Sequence, residues 1–71
     1  MARIELLRGI VTGKQAQRIR IDGHKVYVDL FTASMLVQVY DALNETNRAK
    51  FIGLPWTRMV DIGWKACKDA V

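Results

Sequence analysis

The chain has 71 residues, 51% of them hydrophobic and 25% charged, with a formal net charge of +4. This supports one small domain over residues 1–71 and is too apolar for a disordered chain. A single cysteine, Cys67, excludes an internal disulfide and a cysteine-based metal site, and the apolar runs fall far short of the roughly 18–20 residues that span a bilayer.

The first 12 residues read in two ways. Ile4, Leu6 and Ile10 share one parity, and Leu7 and Val11 share the other. That suits a strand buried on both sides or bulged near Gly9. The same residues also read as a short helix closed by Gly9. The strand is the preferred reading, joined to a hairpin through a Gly13-Lys14-Gln15 turn.

Residues 18–30 alternate on either side of Asp22-Gly23-His24, which predicts that β-hairpin, with Ile19, Ile21, Val26 and Val28 on one face. Two registers are open. An Asp22-Gly23 loop sets Ile19 against Val26. A Gly23-His24 loop sets Ile21 against Val26, and pairs Asp22 with Lys25 and Arg18 with Asp29.

Three helices are predicted next, over about 32–43, 45–52 and 55–69. Thr32 is a suitable N-cap for the first. Its polar residues Ser34, Gln38 and Asp41 fill only a narrow wedge, so it needs cover on nearly all sides. Asn44 caps the second and Gly53 closes it. Pro55 fits the first turn of the third, whose apolar arc holds Trp56, Met59, Val60, Gly63, Trp64, Ala66, Cys67, Ala70 and Val71. Both tryptophans are expected in the core, under the hairpin face or under Leu36, Tyr40 and Leu43. The expected fold class is α+β: a small antiparallel β-meander of two or three strands followed by three helices.

No motif carries catalysis. His24 is a turn histidine without an evident orienting partner, and Cys67 lies on the apolar arc of the last helix rather than in an electropositive setting. The seven carboxylates are scattered, and the five glycines form no phosphate loop. The chain is therefore expected to be non-enzymatic, with no cofactor and no metal. Trp56 and Trp64 beside Lys65 and Lys68 fit a core-facing helix better than a membrane-surface one, because Asp61 and Asp69 share the polar face.

Charge is uneven. Residues 1–30 hold six basic side chains against three acidic ones, and residues 31–71 hold five against four. Arg18, Arg20, Lys25 and Tyr27 fall on the outer hairpin face, a candidate nucleic-acid contact. Three cations are few for a dedicated module, so only weak, sequence-independent binding is expected.

The run V-D-L-F-T-A-S-M-L-V-Q-V-Y-D-A-L-N-E-T-N-R-A-K-F-I-G-L-P from Val28 to Pro55, with Met59, Ile62 and Lys65, resembles small proteins of tailed phages that infect actinobacteria. The likeness sits at the Asp29–Thr32 junction, at Tyr40-Asp41-Ala42-Leu43-Asn44 and at Gly53-Leu54-Pro55. It implies a protein of the bacterial host cytoplasm, in some cases acting on host proteins. A lone thiol fits the same reducing compartment, and Met1–Gly9 is too short and too charged for a secretory leader.

Together these readings predict a small interaction protein. It would self-associate as a dimer, or bind a host protein, through Met35, Val39 and Ala42 of the first predicted helix. The alternative is a nucleic-acid accessory protein that uses the basic hairpin.

Overall fold

The computed structural model describes residues 3–21 and 23–69. Its elements are α1 (Arg3–Gly13), β1 (Gln17–Ile21), β2 (His24–Val28), α2 (Leu30–Ala42), α3 (Glu45–Ile52) and α4 (Trp56–Asp69). The fold class is α+β, with one two-stranded antiparallel sheet and four helices rather than three.

The extra helix corrects the reading of the first residues as a strand. Ile4, Leu7 and Val11 recur at i, i+3 and i+7, with Leu6 and Ile10 beside them, so apolar residues of both parities share one helical face. Leu7 and Ile10 are buried on it. Gly9 is exposed and does not close the helix. α1 runs on to Gly13, and Lys14 ends it by entering the left-handed region at φ 55°. Its N–H bonds the Val11 carbonyl at 3.3 Å.

β1 and β2 pair with Ile19 opposite Val26 and Ile21 opposite His24. This is the register of the Asp22-Gly23 loop, with Gly23 at φ 79°. The other register is not adopted, and Asp29 shows why. Rather than pairing with Arg18, Asp29 caps α2, its Oδ1 accepting the Thr32 N–H at 2.7 Å. The cap is thus Asp29, not Thr32, and α2 begins two residues earlier than predicted. Asp22, Ala70 and Val71, which also figured in the predicted turn and arc, lie outside the described residues.

α2 is the central element, with α1, α3 and α4 packed against it. Ala33, Met35 and Leu36 are its buried residues. The inner hairpin face (Ile19, Ile21, Val28) joins Leu7 and Ile10 of α1 in the same core. α3 begins as predicted, with Asn44 Oδ1 accepting the Asn47 N–H at 2.8 Å, and buries Phe51. Gly53 follows it in an ordinary right-handed conformation, φ −87°. Pro55 precedes α4, and its carbonyl accepts the Met59 N–H at 2.9 Å.

α4 lies on α2, not on the hairpin, and its buried line is Met59 and Gly63. Trp56, Val60 and Cys67 are half-buried. Trp64 is 46% exposed, so it is not the core residue its place on the arc suggested. It lies about 100° round the helix from Gly63, and Gly63 is where α2 approaches.

Candidate functional site

The three residues expected to bind a partner do not stay together. Met35 is 4% exposed, beneath Gly63 of α4. Val39 is half-buried and Ala42 exposed. These two line an open groove of about 280 Å³ with Gln38 and Leu43 of the same segment and Ala66 and Cys67 of α4. The groove stems from residue size. The helices meet closely at Gly63, and beyond that point Ala42 and Ala66 are too small to fill the space between them.

Two exposed apolar side chains continue this face. Phe31 is 80% exposed, four residues before Met35 and eight before Val39 on one stripe of α2. Ile62 is 36% exposed, four residues before Ala66 on α4. Neither stood out as a binding residue from the sequence. The signal was present in the spacing of Phe31 and in the small residues Gly63 and Ala66, which mark where two helices approach.

The groove's α2 wall is kept neutral by where the charges go. Asp41 is the one charged residue of α2, and Arg8 of α1 grips it in bidentate fashion, at 2.6 and 3.2 Å. That hydrogen bonding, reinforced by Arg8 and Arg48 charge, holds the Asp41 carboxyl below its ordinary 3.8, and the pairing raises the Arg8 guanidinium in turn. Both guanidiniums, of Arg8 and Arg48, lie within 5.9 Å of the Tyr40 ring centre. Arg48 also donates to the Tyr40 and Asp41 carbonyls, at 2.9 and 2.8 Å, which satisfies the end of a helix with no basic residue in its own last turn. Arg3 serves α3 likewise, donating to the carbonyls of Ile52 and Leu54.

Arg3, Arg8 and Arg48 are therefore engaged with the fold. Arg18, Arg20 and Lys25 are not: they make no ion pair or side-chain hydrogen bond among the described residues. The register places Arg18 opposite Tyr27 and Arg20 opposite Lys25 on the outer face of the hairpin. All four are exposed, Tyr27 to 66%. Three of the six basic side chains of residues 1–30 thus share one sheet face.

His24 is exposed at the start of β2, and Cys67 is a free, half-buried thiol in the groove wall. Among the described residues no three His, Cys, Asp or Glu side chains gather as metal ligands would, and no helix is long and apolar enough to cross a membrane. Compared with known proteins, the chain matches no family model, no curated protein and no solved structure.

Proposed function

We propose that this is a non-catalytic interaction protein that pairs with a second copy of itself through the α2–α4 face. The observation that carries the reading is the apolar groove at Val39, Ala42, Ala66 and Cys67, continued by exposed Phe31 and Ile62.

A two-fold axis makes a patch meet itself. In such a pairing Phe31 of one copy seats in the α2–α4 groove of the other. The most exposed apolar ring then fills the groove left by two alanines. In keeping with the resemblance to small phage proteins, we place this pairing in the cytoplasm of a host bacterium, where Cys67 stays reduced. A host protein docking on the same face is the second reading.

Cys67 reports on the groove. Its labelling by a thiol reagent should slow as protein concentration rises, and Phe31→Asp should restore fast labelling at every concentration. Labelling that does not depend on concentration, with the chain folded, removes the self-pairing reading.

A further inference from the structure

We infer that the outer face of the β1–β2 hairpin binds single-stranded nucleic acid, with Tyr27 stacking on a base and Arg18, Arg20 and Lys25 holding the flanking phosphates. The inference does not depend on how the α2–α4 face is used. It rests on four side chains that one register brings together. Residues two apart along a strand lie about 7 Å apart, and directly opposed residues about 5 Å. Arg18 with Tyr27, and Arg20 with Lys25, therefore make a compact quadrilateral with an aromatic at one corner and a cation at each of the others.

Neither described acid of this half of the chain, Glu5 or Asp29, pairs with these cations. The Asp29 carboxylate accepts the Thr32 N–H, and Glu5 belongs to the first turn of α1. The chemistry that complements three unengaged cations around an exposed ring is a polyanion carrying π-faces. A duplex is a poorer match, because its bases are already stacked and leave Tyr27 nothing to cover. An anionic bilayer is also a poorer match. Basic segments that hold lipid carry about four to eight cations, and this face offers no aliphatic side chain to insert.

Three phosphate contacts set the scale. Binding is micromolar and tolerant of sequence, and the logarithm of the association constant falls with log salt at a slope of about −2. The test is fluorescence anisotropy of a short labelled oligothymidylate, titrated with the full chain at several salt concentrations. Equal-length duplex and vesicles of anionic lipid are run beside it. Tyr27→Thr keeps a β-branched residue at an exposed strand position, so the fold is retained. It should weaken binding at least about fivefold and leave the salt slope unchanged. Arg18→Ala with Arg20→Ala should cut the slope to about −0.7. Circular dichroism confirms that each variant is folded. The inference is overturned by any of four results: no binding at low salt, duplex bound as tightly as single strand, vesicles bound in preference to the oligonucleotide, or Tyr27→Thr without effect in a folded protein.

Discussion

Gly63 of α4 sits so close to Met35 of α2 that a Cβ at the glycine falls 2.6 Å from the methionine sulfur and 3.0 Å from Leu36 Cδ2. No side chain fits there without movement. An alanine gains about 1 kcal/mol of helix propensity over glycine, whereas overpacking a closed core costs about 1–3 kcal/mol. Met35 is 4% exposed and Leu36 fully buried, so a methyl group here requires both side chains to repack. Gly63→Ala should therefore lower stability by about 1 kcal/mol net, and Gly63→Val by more. Urea denaturation checks both. A stabilised Gly63→Ala protein would mean that the Met35 and Leu36 side chains move aside at little cost.

The same contact separates what was legible in the sequence from what was not. Asn44 and Pro55 announce their helices through local chemistry: α3 begins at Glu45 as expected, and α4 at Trp56, one residue later than expected. The inner hairpin face was legible from alternation alone. The residues of α1 were not, because Leu6-Leu7 and Ile10-Val11 put apolar residues on both parities, and short runs of that kind fit a buried strand as well as a helix. Trp64 was misplaced because a helical wheel shows the width of an apolar arc but not which line of it a neighbour touches. That line was set by the smallest residue, Gly63. The candidate site was half legible: Val39 and Ala42 line the groove, while Met35 lies under α4.

Met59 and Trp64 should respond differently to truncation. Met59 is fully buried, and Met59→Ala should cost about 2–5 kcal/mol. Trp64 is 46% exposed, and Trp64→Ala should cost about 1–2 kcal/mol. Acrylamide quenching should likewise show two classes of tryptophan, with Trp56→Phe removing the shielded one. Two equally shielded indoles would place Trp64 back in the core.

Acid should destabilise the protein through two carboxylates. The Thr32 N–H holds the Asp29 carboxyl below its ordinary 3.8, and Arg8 does the same for Asp41. A depressed folded value favours the charged form, so this stabilisation is fully present above the ordinary carboxylate range. It disappears as pH falls through the lowered values. Melting temperature should be flat near neutrality and drop below about pH 4. Asp29→Asn keeps a good cap without the charge, and combined with Asp41→Asn it should flatten that acid limb. An unchanged limb would assign the acid destabilisation to other groups.

Lys14 occupies a left-handed conformation that costs a residue with a Cβ about 1 kcal/mol. Lys14→Gly should raise stability by about that amount, since glycine is the usual residue at this position after a helix. Thermal or urea unfolding reads it directly. A destabilised variant would indicate that the Lys14 side chain itself supports the turn.

Light scattering behind size exclusion, on the wild-type chain and on Phe31→Asp, bears most directly on the α2–α4 pairing. Phe31 is 80% exposed, so its replacement leaves the monomer fold intact. Self-pairing predicts about twice the 8.1 kDa chain mass for the wild type and the single-chain mass for a folded Phe31→Asp. A wild-type chain that stays at 8.1 kDa across the accessible concentrations, or a Phe31→Asp variant that keeps the doubled mass, would contradict it.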